Sequence, residues 1–274
     1  MDERPDNERT RSFGGPLLMI GLLIVVVVAV VWANSWKSDL RIADVRVNGN
    51  AIVNETDILT LANIKPQQRL YDVDLSAAQR RILQNAFIKY ATVNREAPNR
   101  ISITVQERTP IAAVILEKIE YLDADGVVLP AARSENIFDL PVLTGAFQPG
   151  EFVPGKQLTR DDVKEALGIL ATAQQIGDEL YRRISEVHVD VDKDILLYTA
   201  EFGVLIVFGH GDAAVKLVKF DGFWKDIVHH RGARELAYID LRFEDQVVVR
   251  WNHDNEEVRV TKAVATKPGK PKKS

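Results

Sequence analysis

Apolar residues are spread unevenly along the chain, and the first concentration decides its class. From Phe13 to Ala33 no residue is charged, and Leu17 to Val31 is almost continuous Leu, Ile and Val. As a helix rising about 1.5 Å per residue, this run reaches roughly 30 Å, the hydrocarbon thickness of a bilayer. Trp32 and Trp36 bracket its end, where an anchor places indoles at the headgroup level. Ala33-Asn34-Ser35 imitates a signal-peptide cleavage site, but such peptides carry an apolar region of only about 7–15 residues. The pattern therefore predicts an uncleaved single span over 13–36. It leaves a short cytoplasmic tail, 1–12, holding Arg4, Arg9 and Arg11, and a large part outside.

After the span the periodicity changes. Ile42 to Val47 alternates as a half-buried strand and ends at Asn48-Gly49-Asn50. Asn54 is placed to cap a short helix carrying Ile58, Leu59, Leu61 and Ala62. Asp74 opens a second helix, with Leu75, Ala78, Ile82 and Leu83 at helical spacing. Two strands follow, Ile88 to Arg95 and Arg100 to Val105, joined by Ala97-Pro98-Asn99. The order strand, helix, helix, strand, strand describes a small α/β module. Its expected core is Val45, Val47, Ile82, Ile88, Val93, Ile101, Ile103 and Val105.

From Ile111 onward strand patterns dominate. Ile111 to Glu117 is one strand, Tyr121 to Leu129 a hairpin turning at Asp125-Gly126, and Pro141 to Leu143 a short strand. Thr159 or Asp161 then caps a helix with Val163, Ala166, Leu167 and Leu170 on one face. Strands are expected at Ile184 to Val191, Ile195 to Ala200 and Val204 to Phe208. A second helix, Asp212 to His229, buries Val215, Leu217, Phe220, Trp224 and Ile227. Leu236 to Phe243 and Gln246 to Trp251 close the domain as alternating runs joined by Glu244-Asp245. Beyond Trp251 apolar density falls, and 255–274 reads as a disordered basic tail.

Composition narrows the function classes. The 274 residues are 46% hydrophobic and 27% charged, enough to bury real cores, and the net charge of −4 argues against nucleic acid. The absence of cysteine removes thiol nucleophiles and thiolate metal sites.

Three patterns invite a chemical reading. Gly209-His210-Gly211-Asp212-Ala213-Ala214 is a loose dinucleotide fingerprint between a strand and a helix. The strands around it come in antiparallel-looking runs, so a glycine turn into a helix capped by Asp212 is the simpler account. Asp190, Asp192, Asp194 and Glu201 match acidic positions of a calcium loop, but Ile195 stands where that loop needs glycine. Val189, Val191, Ile195 and Leu197 read instead as inward sides of two strands meeting at Asp192-Lys193. His188, His210, His229, His230 and His253 lack ligand spacing, and neither G-x-S-x-G nor a P-loop occurs. Neither a cofactor nor a catalytic residue is expected.

A resemblance goes further. Phe87-Ile88-Lys89-Tyr90-Ala91-Thr92-Val93-Asn94-Arg95-Glu96-Ala97-Pro98 resembles the end of a POTRA domain. With Ile101-Ser102-Ile103-Thr104-Val105-Gln106-Glu107-Arg108-Thr109-Pro110-Ile111-Ala112 it is similar to the V-x-R-x-x-P…L-x-I-x-V-x-E-x-x-P-x-A signature of the FtsQ/DivIB family of bacterial cell-division proteins. Tyr121 to Gly126, Leu140 to Gly145 and Phe208 to Asp212 match further pieces, so the likeness covers about Trp32 to Trp251.

The resemblance implies an α+β chain: one transmembrane helix, a POTRA domain (β-α-α-β-β) over 37–109, and a mixed, mainly antiparallel β domain with two helices over 110–254. It also implies a divisome scaffold without catalysis, in the inner membrane at the septum, with a periplasmic C-terminal part. Its POTRA part would meet upstream division proteins such as FtsK, and the end of its β domain would bind FtsB and FtsL, which lead on to FtsW and FtsI. The binding segment of the family resembles Tyr238 to Trp251, which points to Tyr238, Arg242, Phe243, Val247, Val248, Val249, Arg250 and Trp251. Phe243 stands where an aromatic, usually tyrosine, belongs, and Trp251 matches directly. Arg250 replaces an often small residue, and Val114 replaces an aromatic that often follows P-x-A.

Physics supplies an independent rationale. A last strand at a sheet edge offers free N–H and C=O groups to an incoming strand, and nothing after Gln246 to Trp251 need cover that edge. Phe243 and Trp251 would anchor the partner, or else serve as plain core. Two other readings stay open. One is an envelope chaperone or secretion accessory using the POTRA edge. The other is a periplasmic cell-wall hydrolase using Asp190, Asp192, Asp194 and Glu201.

Overall fold

A computed structural model describes residues 14–38, 40–131, 138–252 and 258–261, so the expected tail 1–12 and most of 255–274 lie outside the described residues. Helix α1, Gly14–Ser38, has 25 residues. Every side chain described along it, from Met19 to Trp32, is exposed. Among the described residues no helix is long and apolar enough to cross a membrane.

The chain divides into two compact units, 1–82 with 90–106, and 83–89 with 107–274. The first contains β1 (Asp44–Asn48), α2 (Glu55–Ala62) and α3 (Leu75–Ile82), and most of β2 (Ile88–Glu96) and β3 (Arg100–Glu107). Its sheet has the order β1-β3-β2, with β1 parallel to β3 through Val45↔Ile101 and Val47↔Ile103. Ile58, Ala78, Ile82, Ile101 and Ile103 are fully buried, whereas Val45 and Val47 on the outer strand are half-buried. Asp74 caps α3 by accepting the Ala77 N–H at 2.9 Å. Asn54 precedes α2 as expected, but its side chain makes no capping bond.

Polar residues tie this unit together. Arg95 reaches from β2 to the carbonyls of Leu70 (2.9 Å) and Val73 (2.7 Å), while Arg81 donates to Leu61 and Ala62 at the end of α2. These bonds give the Arg of the V-x-R pattern a structural role. Gly49 turns with φ +84° where an added Cβ would lie 2.1 Å from the Val105 carbonyl oxygen. Any side chain there would drive β1 off its path.

The second unit holds β4 (Pro110–Ile115), β5 (Ile119–Asp123), β6 (Val128–Leu129), β7 (Val142–Gly145), α4 (Asp161–Ile176), α5 (Asp178–Arg182), β8 (Ile184–Val189), β9 (Ile195–Thr199), β10 (Leu205–Val207), α6 (Ala213–Phe223), β11 (Leu236–Asp240), β12 (Gln246–Trp251) and β13 (Val258–Thr261). All ten strands form one sheet, ordered β13-β12-β11-β10-β9-β8-β7-β4-β5-β6. Pairing is antiparallel except β4–β7, β7–β8 and β10–β11. The last two exceptions follow from helical connections through α4–α5 and α6, which return the chain in the same direction. One core runs between the sheet and the helices, with Leu167, Leu170, Val187, Leu197, Ile206, Phe220, Ile239 and Val249 among its buried members. The molecule is thus a POTRA-like α/β module and a mixed α+β domain with few helices.

Several local expectations are corrected. Val215 is 57% exposed, because Leu217, Phe220, Trp224 and Val228 set the inward phase of α6 and its continuation, a π-helical turn Trp224–Val228. Lys216 is buried instead, donating to the carbonyls of Phe208 and His210. Val191 is 86% exposed, since β8 ends at Val189 and alternation stops there. Neither Thr159 nor Asp161 caps α4; Arg160 occupies that position and grips Asp162 at 2.6 Å. The largest correction is β13, which falls inside a segment expected to be disordered.

Candidate functional site

The terminal hairpin is built by alternation. On β11 and β12, Ile239, Val249 and Trp251 enter the core at 0, 0 and 2% exposure, while Arg250 is exposed and Tyr238 half-buried on the other face. Tyr238 and Arg250 are paired across the ladder, as are Asp240 and Val248. Val247 and Val248 are also buried. Trp251 is covered by the Arg231 guanidinium, 4.0 Å above its ring.

The turn between the strands is fastened from both sides. Arg242 closes a fork on the buried Asp240 carboxylate, with Nε–Oδ1 at 3.0 Å and Nη2–Oδ2 at 2.7 Å. That bond raises the guanidinium's proton affinity further. Lys219 on α6 donates to the carbonyls of Phe243 (2.8 Å) and Glu244 (3.0 Å). Held this way, Phe243 leaves 45% of its surface in water. Of Phe243 and Trp251, one is presented and the other is core.

The edge itself differs from expectation. β12 is not the last strand: β13 pairs antiparallel with it in the register Gln246↔Thr261, Val247↔Val260, Val248↔Arg259 and Val249↔Val258. Val258-Arg259-Val260-Thr261 alternates with the period of a strand, a signal masked by the Lys- and Pro-rich residues after it.

The chemical patterns resolve into structure. Gly209 and Gly211 adopt φ +64° and +68°, leading into α6. Glu165 fills the position an anion would take there, accepting the Gly211 N–H at 2.7 Å and meeting His210 Nδ1 at 2.8 Å. Burial opposes ionisation of Glu165, but these bonds outweigh it and hold the carboxyl below its ordinary range. Asp212 starts α6 without a side-chain capping bond. The turn does lie in a parallel β10–α6–β11 unit, which the strand pattern had concealed. Asp190 accepts the Asp194 N–H at 2.9 Å, making a tight turn, and β9 separates Asp194 from Glu201. Glu201 therefore lies a strand's length from the Asp190–Asp194 turn, which breaks the calcium-loop geometry. Among the described residues no group of three or more His, Asp or Glu is placed to hold a metal ion.

Comparison with known proteins agrees with this architecture. Residues 40–108 match the POTRA domain, FtsQ-type, and residues 113–242 match the C-terminal domain of cell division protein FtsQ/DivIB. The chain is 30% identical over 249 residues to cell division protein FtsQ of Geobacter sp. (strain M21), covering 88% of this chain and 86% of that protein. The chain belongs to the FtsQ/DivIB family. The FtsQ proteins of Syntrophotalea carbinolica (28% identity; 86% and 83% covered) and Rhodothermus marinus (27%; 85% of each) are similar over the same extent. The FtsQ/DivIB C-terminal match ends at Arg242, so β12 and β13 lie beyond it.

Proposed function

We propose that this FtsQ/DivIB chain is a non-enzymatic scaffold of the division machinery, anchored in the inner membrane by α1 with its N-terminus in the cytoplasm and working at the septum. It binds the periplasmic parts of FtsB and FtsL by strand addition at the β11–β12 end of the sheet. Through them it connects to FtsW and FtsI and helps regulate septal peptidoglycan synthesis, while its POTRA unit meets upstream proteins such as FtsK. The anchor is supported by the apolar run Leu17 to Val31 and by exposed side chains from Met19 to Trp32.

The observation that carries the partner site is Phe243. A large aromatic is held 45% exposed by Lys219 bonds to the carbonyls of Phe243 and Glu244, beside the Arg242–Asp240 fork, while Leu241 and Val249 nearby are buried. Exposed, pre-positioned aromatics beside an arginine are the type of residue that anchors interfaces. Of the eight residues named for the site, Arg242, Phe243 and Arg250 are exposed and Tyr238 is half-buried. Val247, Val248, Val249 and Trp251 contribute by shaping the strand.

Calorimetric titration of the detergent-solubilised full chain with the periplasmic FtsB–FtsL complex of the same cell tests this. Phe243→Ala should weaken binding by about 2 kcal/mol, roughly thirtyfold, with an unchanged melting temperature. Wild-type affinity in that variant would remove the turn from the site.

A further inference from the structure

We propose that β13 is a built-in occupant of the partner's edge, a short intramolecular strand that the incoming partner strand displaces. The inference rests on the reading that the partner adds to β12, and it supplies a regulation of that site. β12 has two edges. Its inner edge pairs with β11, and the side chains of Val249 and Trp251 are sealed in the core. Its outer edge is the one a partner strand would use, and from Gln246 to Val249 every position is already paired with β13.

Three features make the occupant exchangeable. Among the described residues β13 holds β12 through four paired positions, and β12 stays anchored through β11 when β13 leaves. The chain leaves β12 from a fixed point, because the Asn252 N–H donates to the Glu235 carbonyl at 2.7 Å. Residues 252–257 then tether β13 to the edge. So short a tether raises its effective concentration to about the millimolar range, enough to compete with a free partner. An unpaired edge of this kind also recruits unwanted strands, so a resident strand protects the unpartnered molecule from edge-to-edge association.

The consequence is quantitative. Apparent affinity falls by the fraction of molecules whose edge is open. Three full-length or near-full-length proteins in detergent would be titrated with the periplasmic FtsB–FtsL complex: wild type, a chain ending at Asn252, and Val260→Pro. The proline removes a ladder N–H within β13 and leaves β12 unaltered. Amide exchange across Gln246–Trp251 would be followed in each protein without partner. The expected result is about tenfold tighter binding by both variants, with faster exchange in β12 before partner is added. Equal affinity in all three would overturn the occupant while leaving strand addition intact. Weaker binding by the variants would also overturn it, because the partner would then be adding to β13. If no protein bound, the chain ending at Asn252 included, the strand-addition reading and the inference would fall together.

Discussion

The two ends of the ten-stranded sheet solve one problem in opposite ways. At one end β6 has two residues, and its outer edge is closed by irregular chain: Val128 N–H donates to Lys156 O (2.9 Å), Gly155 N–H to Val128 O (2.8 Å), and Leu158 N–H to Gly126 O (2.8 Å). Val127, Val128 and Leu129 are buried there. Beneath the turn, Asp123 accepts the N–H groups of Asp125 and Val127 and the Arg108 guanidinium. At the other end β12 is closed by a regular four-residue ladder from β13. A cover formed by a mid-chain segment cannot leave without dismantling its neighbours. Among the described strands β13 is bonded to β12 alone, so its leaving disturbs no other strand. On the proposal that the partner adds to β12, the first edge is permanent and the second is the one that opens.

The sharpest way to break this contrast is at the anchored side of the available end. Trp251→Ala should cost about 3–5 kcal/mol in urea unfolding, because the indole is buried in the shared core beneath Arg231. A cost under about 1 kcal/mol would mean that β12 itself is loosely held. At the permanent end Asp123→Ala should cost about 3 kcal/mol, since it leaves two backbone donors without their acceptor and takes one of two carboxylates from Arg108. The same measurement on a chain ending at Asn252 should show a smaller loss, which keeps the two ends distinct.

The smallest effect concerns acid. A hydrogen bond from Lys89 holds Asp125 below its ordinary value of 3.8, helped by Arg108 and opposed by partial burial. Its stabilisation is complete above the unfolded value and disappears as pH falls through the lower folded one. Urea midpoints should therefore fall below about pH 4, and less so in Asp125→Asn. Equal acid slopes for both proteins would show that this ion cluster does not secure the β6 turn.

Much of the fold was legible in the chain. The alternation of Ile101, Ile103 and Val105, the helical spacing of Ala78 and Ile82, and the turns at Asp125-Gly126 and Glu244-Asp245 each specify a local conformation that burial then rewards. Where reading failed, a non-local competitor decided. Val215 looked inward until Leu217, Phe220 and Trp224 fixed the phase of α6, and Val191 looked like strand until β8 stopped short. At the glycine turn the simpler reading holds, and Glu165, distant in sequence, fills the place an anion would take.

The sequence by itself determined the apolar N-terminal run, the POTRA order of elements, the mixed β domain and the family, because each is written in short-range periodicity or in contiguous motifs. Tertiary structure decided which of two aromatics faces water. Trp251 is core and Phe243 is presented, since Arg231 closes over one while Lys219 on α6 holds the turn at the other. It also decided that the apparent last strand has a neighbour. Edge or interior is a property of which strands meet across the sheet, and no local pattern in β12 records whether β13 lies beside it.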